Sequence, residues 1–301
     1  MKYVLRREVL SSTAEKQISE ASFREISDAR QNLFELLAIE EKYDLLIRNY
    51  LGFEQVVYDS SINGLLYTER SWSDFIEHIQ AANLAVMNLL AMCRSYVDHT
   101  PQHLSAIFPD LPEKKDAFHN ERKTVYSEFL GYRVLYEIRN HVQHCGLPVH
   151  SFTLGGSWLD TRDACRHNAI PYISVAELAK DNSFNKKILQ EIQDMGERID
   201  LRLLIRENMS AFGRIHKCVR ALTKDLADDS QRIVSDCLKD FAKNYDSDLI
   251  GLSIMALDTE GRVIDRSSLF DDMVKRRRYL EEKNKTLVNV ERHFVTGQIE
   301  T

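Results

Sequence analysis

The chain is short of turn-making residues: 11 Gly and 5 Pro among 301 residues. Ordinary proteins carry about 7% and about 5% of these. Sandwiches, propellers and β-barrels need a tight turn after every short strand, and most such turns rely on Gly or Pro. Helices need neither inside them and only a little at their ends. The fold class expected is therefore mainly α, an antiparallel helical bundle with small peripheral β elements. At 29% charged and 44% hydrophobic residues, the chain has the balance of a globular protein and is long enough to bury a substantial core.

Apolar periodicity places the elements. Residues 3–10 read as a short strand and residues 23–50 as a helix striped by Leu33, Leu36, Leu37, Leu45 and Leu46. Residues 51–70 mix β-branched residues with Ser, Asn and Gly, which suggests a strand or an irregular link. A long helix follows, with Asp74 as N-cap and Ile79, Ala82, Val86, Leu89, Cys93 and Tyr96 on one side; Pro101 is expected to end it. A second long helix spans 121–144, its buried face carrying Val125, Phe129, Tyr132, Tyr136, Ile138 and Val142. Gly146 and Pro148 stop it. Residues 149–173 look irregular with a short strand or two. Asp200 caps a helix to about 226, another covers 230–245, a β-hairpin covers 249–265, and a charged helix covers 269–285. This divides the chain into an extension (1–70), a helical bundle (71–245) and a hairpin with its helix (246–301).

Charge narrows the function. Forty Lys and Arg against 46 Asp and Glu give a net charge of −6, whereas a protein that coats duplex DNA neutralises phosphates and is normally basic. Duplex DNA is not an expected partner, and nucleic-acid contact would be local. Five scattered cysteines without a CxxC pair suit a reduced, cytoplasmic compartment. The first residues, MKYVLRREVLSSTAEKQ, are charged where a signal peptide would be apolar, and no run of 18 apolar residues suggests a membrane span. No Walker loop, GxGxxG, GxSxG or HExxH occurs, and no cofactor is expected.

The chemically informative segment closes the second long helix: Tyr136-Glu-Ile-Arg139-Asn140-His141-Val-Gln143-His144-Cys145-Gly-Leu-Pro148. A guanidinium offers a donor fork suited to a phosphodiester. A histidine can take a proton from a 2′-hydroxyl or return one to a leaving 5′-oxygen. His144 falls in the last helical turn, where the dipole favours a cation, and Asn140 can orient either group. Together they suffice for metal-free RNA cleavage by internal transesterification.

Arg139, Asn140 and His144 form R-N-x-x-x-H, which resembles the catalytic motif of the HEPN superfamily (higher eukaryotes and prokaryotes nucleotide-binding): Arg, a polar residue, and His after four to six residues, late in a helix of a bundle. The resemblance implies a metal-independent endoribonuclease with Arg139, Asn140 and His144 as catalytic residues and Tyr136, His141 and Gln143 contacting substrate. It also implies RNA as partner, a homodimer with a composite site, an antitoxin or regulatory protein as a further partner, and a toxin or phage-defence role.

The spacing is a loose one, and Arg94–His99 and Arg162–His167 also satisfy it. The second pair falls in the irregular connector; the first should lie at the opposite end of the bundle from His144. The bland alternative is that Arg139 and His144 merely complement the helix dipole in a non-catalytic dimerisation or binding module. A third reading is a zinc site among His141, His144, Cys145, His150, Cys165 and His167, in which His141 and Cys145 share a helix face. The run Lys275–Arg278 reads mainly as a solvated, salt-bridged face.

Overall fold

The computed structural model describes residues 1–9, 14–67, 71–160, 162–245, 249–285 and 288–293. The protein is mainly α with minor β elements. In order these are β1 (Lys2–Arg7), β2 (Glu15–Ile18), α1 (Glu20–Leu66), α2 (Trp72–Ile107), α3 (Pro112–Glu128), α4 (Leu130–His144), β3 (Ser151–Trp158), β4 (Cys165–Ser174), α5 (Val175–Leu178), α6 (Lys186–Gln193), β5 (Arg198–Asp200), α7 (Leu201–Tyr245), β6 (Leu252–Leu257), β7 (Val263–Ser268) and α8 (Asp272–Lys283). Leu10, at the end of the first expected strand, lies outside the described residues.

Five local expectations are corrected. Residues 51–66 continue α1 as helix, because Phe53, Val57, Ser60 and Gly64 bury one face at spacings of four, three and four. Ser61 and Asn63 fit this helix by donating to the carbonyls of Val57 and Asp59, one turn back. Pro101 sits inside α2, which continues because Leu104 and Ile107 still bury apolar side chains beyond it. The cap of α2 is Ser71, with Asp74 as its reciprocal partner: Asp74 N donates to Ser71 Oγ at 3.2 Å and Ser71 N to Asp74 Oδ2 at 3.0 Å. The helix expected over 121–144 breaks at Phe129, which is extended with φ −106° and ψ 110°. The two helices expected over 200–245 are one, α7; Asp200 does accept a bond from Arg202 N at 2.9 Å at its start.

The chain forms two compact units, each assembled from three segments, and α1, α2, α3 and α7 each supply a stretch to both. Unit one comprises 1–41, 100–115 and 219–285. Its antiparallel sheet runs β2-β1-β6-β7, and β6 is buried on both faces. Leu252, Ile254 and Ala256 join Leu5, Phe23, Ile26, Leu33, Val234, Leu238 and Phe241 in the main cluster, while Met255 and Leu257 join Val4 on the other side. Pairs of the kind His103–Glu35 and Arg220–Glu40 link its helices.

Unit two comprises 42–99, 116–218 and 286–301. Lys42 meets His99 while Ser60 meets His78, so α1 and α2 run antiparallel. Tyr43 stacks on His216 at 3.7 Å while Glu54 binds Arg206, so α1 and α7 are antiparallel too. The His216 ring, 1% exposed, also bonds Tyr96 Oη at 2.8 Å, which makes it a satisfied core histidine. Residues 149–173, expected to be largely irregular, carry the β3–β4 hairpin, and the sheet β3-β4-β5 completes this unit.

Candidate functional site

Helix α4 carries the motif, and its start is set by α7. Glu207 accepts bonds from Leu130 N at 3.1 Å and Gly131 N at 2.6 Å, placing a carboxylate where the first amides of α4 lack partners and the dipole is positive. From there the helix turns about 100° per residue. Val134, Leu135, Ile138 and His141 face inward and are buried. Tyr136, Asn140 and His144 follow one another at four-residue steps on the outer face, flanked by Arg139 and Gln143. Tyr136, Gln143 and His144 are exposed, and Arg139 and Asn140 half-buried.

Five of the six residues singled out in the sequence therefore lie on the outward half of the helix, with Arg139 and His144 at its two edges, about 140° apart. The sixth, His141, is turned inward: its ring is 5% exposed and its Nδ1 lies 2.9 Å from Asp181 Oδ2. The geometry does not present it to a substrate.

Most arginines of this unit's helices are held by carboxylates, whereas among the described residues Arg139, like Arg122, is not. Arg133 is paired with Glu191, Arg202 with Asp200, Arg206 with Glu54, and Arg214 with Glu121 and Glu128. Among the described residues Arg139 has no carboxylate; its Nη1 donates to the amide oxygen of Asn140 at 3.2 Å. His144 makes no side-chain hydrogen bond among them. Arg139 lines a cavity of about 30 Å³ with Leu90, Arg94, Tyr132, Tyr136 and Phe212. Arg94 is thus not at the far end from the motif as expected. Because α2 runs on to Ile107, Arg94 lies well inside the helix and beside α4, where Asp98 holds it at 2.6 Å. His99, the other member of that alternative pair, is bonded to Lys42.

Tyr132 and Tyr136 also border a larger open groove between α3 and α4, with Asp116, His119, Asn120, Arg122, Lys123 and Tyr126. Tyr126 stands edge-on to both, at 6.5 Å from each ring, and Arg122 Nε donates to Tyr132 Oη at 3.3 Å. Burial pushes the Tyr132 hydroxyl above its ordinary range, against the opposing pull of Arg122. Cations interleaved with aromatic rings are what single-stranded nucleic acid requires. Sequence reading missed Arg122 and Lys123 because only the break at Phe129 folds α3 back beside α4; no spacing in the sequence signals it.

The inward side of the same helix end forms a second cluster. Asp181, from the turn after α5, accepts Ser183 N at 2.9 Å and Ser183 Oγ at 2.6 Å on Oδ1, and His141 on Oδ2. These bonds hold its carboxyl well below the usual carboxylate range, Ser183 being the largest cause. A bond to Asp181 pushes the exposed Cys145 thiol upward. A Cβ at position 146 would stand 3.1 Å from His141 Nε2, so Gly146 lets the chain pass close to the imidazole. Of the zinc candidates, His141 and Cys145 meet here with Asp181, which the sequence did not suggest. His150 lies 6.2 Å from His141 ring to ring, with its Nδ1 accepting Ser174 N.

Among the described residues no helix is long and apolar enough to cross a membrane. Compared with known proteins, the chain matches no family model, no curated protein and no solved structure.

Proposed function

We propose that this protein is an endoribonuclease of HEPN type that cleaves RNA without a metal in the chemical step. Its substrate is single-stranded RNA, its compartment is the cytoplasm, and it works as a homodimer whose facing α4 helices complete the site. The observation that carries the reading is a pair of groups at the end of α4 without an ionic partner among the described residues: the guanidinium of Arg139, bonded to the Asn140 amide, and the exposed imidazole of His144, near a groove lined in part by Arg122, Lys123 and tyrosines.

In the reaction the 2′-oxygen attacks the neighbouring phosphorus as its proton leaves to a base. The bond from phosphorus to the 5′-oxygen breaks, and that oxygen takes up a proton. The products are a 2′,3′-cyclic phosphate and a 5′-hydroxyl. His144 transfers the proton at one of these oxygens. Arg139 binds the non-bridging oxygens and stabilises their growing charge, and Asn140 fixes the guanidinium. Arg139 and His144 leave the helix about 140° apart, so a second copy supplies the groups that one helix does not converge on a single phosphate. Tyr136 and Gln143 contact flanking nucleotides.

The test is cleavage of single-stranded RNA in EDTA by wild type, Arg139→Ala and His144→Ala, with analysis of the product ends. Cleavage by wild type alone, leaving cyclic phosphates, supports the reading. Absence of cleavage, or equal cleavage by all three, returns α4 to a dimerisation or binding role.

A further inference from the structure

We propose that His141, Cys145 and Asp181 form a binding site for a zinc-type divalent cation, one that ties the end of α4 to the turn after α5. The nuclease reading is independent of it, since none of the three donors carries the proposed cleavage chemistry.

Three donors of different chemistry converge here: an imidazole nitrogen, a thiol sulfur and a carboxylate oxygen, all within 4.8 Å of one another. His141 and Cys145 are one turn apart, with Cys145 N bonded to His141 O at 2.8 Å, so the helix itself sets their spacing. Asp181 arrives from 40 residues away and is immobilised by Ser183 before any ion binds. Its side chain is 4% exposed and that of His141 5%, which separates this cluster from the solvated acidic groups common on protein surfaces. Cys145 is exposed, leaving a way in and a fourth position for water.

Donor chemistry selects the ion. Sulfur and imidazole nitrogen suit Zn²⁺, whereas Mg²⁺ and Ca²⁺ take oxygen ligands. A carboxylate and a thiolate together carry two negative charges, which a dication balances. Lys180, the nearest cation in sequence, is engaged by Glu177 at 2.6 Å and does not supply that balance. A neutral imidazole binds through one ring nitrogen and keeps its proton on the other, so the proton that binding displaces is that of the Cys145 thiol.

The experiment titrates Zn²⁺ into metal-free full-length protein against a chromophoric chelator, with Co²⁺ as a spectroscopic probe. Wild type is expected to bind one equivalent and to show a thiolate-to-cobalt charge-transfer band. Cys145→Ser and Asp181→Asn should each weaken binding tenfold or more, Cys145→Ser should abolish the band, and Cys165→Ser should change neither. Cys145 is exposed, so its serine variant tests the site without emptying a buried position. No uptake by wild type overturns the proposal, as does a loss of less than tenfold in Cys145→Ser. RNA cleavage is measured separately, so failure of either proposal is seen without the other.

Discussion

A Cβ on Gly131 would stand 2.3 Å from the carbonyl oxygen of Leu204: α4 rests directly on the backbone of α7. No rotamer change relieves a contact with main chain, so Gly131→Ala must push the motif helix away from its support. The variant should lose about 1–3 kcal/mol of stability, exceeding the roughly 1 kcal/mol that alanine gains in a helix. Chemical denaturation checks this, and an unchanged or higher midpoint would contradict the close approach.

Glu207 holds that same helix start through the amides of Leu130 and Gly131. Glu207→Ala removes a cap and a favourable charge at the dipole's positive end, and should cost about 1–2 kcal/mol. Glu207→Gln keeps an acceptor and should recover part of it. Hydrogen exchange at the first amides of α4 would locate the effect.

On the outer face activity and stability should separate. Arg139→Ala and His144→Ala alter side chains that are half-buried or exposed, so stability should move by about 0.5 kcal/mol or less. RNA cleavage should fall at least about 100-fold in each. Arg139→Lys should not restore it, because an ammonium lacks the planar fork. A variant that loses cleavage together with its folding transition would place the residue in the core instead.

Lys123 lies in the groove beside Tyr126 and Tyr136 and is exposed. Lys123→Glu should weaken single-stranded RNA binding with little dependence on sequence and should flatten its salt dependence. Binding titrations at two ionic strengths measure both, and an unaltered salt slope would remove the groove from the RNA path.

Glu54 gives the clearest pH signature. Burial alone would raise its carboxyl, but bonds from Arg206 and from the Tyr50 hydroxyl outweigh that and hold it below the ordinary value. A depressed carboxylate contributes stability above its unfolded pKa, about 4.3 for Glu. That contribution is lost as pH falls through the lower folded value. Glu54→Gln should therefore be less stable than wild type by about 1–3 kcal/mol near neutrality. The difference should shrink on acidification below about pH 4, as thermal melts across pH would show.

Much of this architecture was legible because helical periodicity is local. The stripe of Leu33, Leu36 and Leu46 and that of Val86, Leu89 and Tyr96 announce α1 and α2 in the residues themselves. Asp200 marks the start of α7, and the outer face of α4 follows from counting at 3.6 residues per turn. What misled were local breakers overruled by burial. The Ser, Asn and Gly of residues 60–64 hide a helix whose buried face is intact, and Pro101 sits within α2 because apolar packing continues past it. Conversely, nothing local marks Phe129 as a break; the carboxylate of Glu207, 77 residues from Leu130, starts a new helix there.

The sequence by itself determined that the chain is mainly helical and that Arg139, Asn140 and His144 fall within six residues at a helix end. These depend on composition and on spacings of three and four residues. Only the tertiary structure decided that His141 faces inward to Asp181, that Arg94 stands beside Arg139, and that Arg122 and Lys123 border the same groove as Tyr136. Those neighbours come from separate elements, and which of them meet is set by how buried faces pack, a property that no single stretch of chain contains.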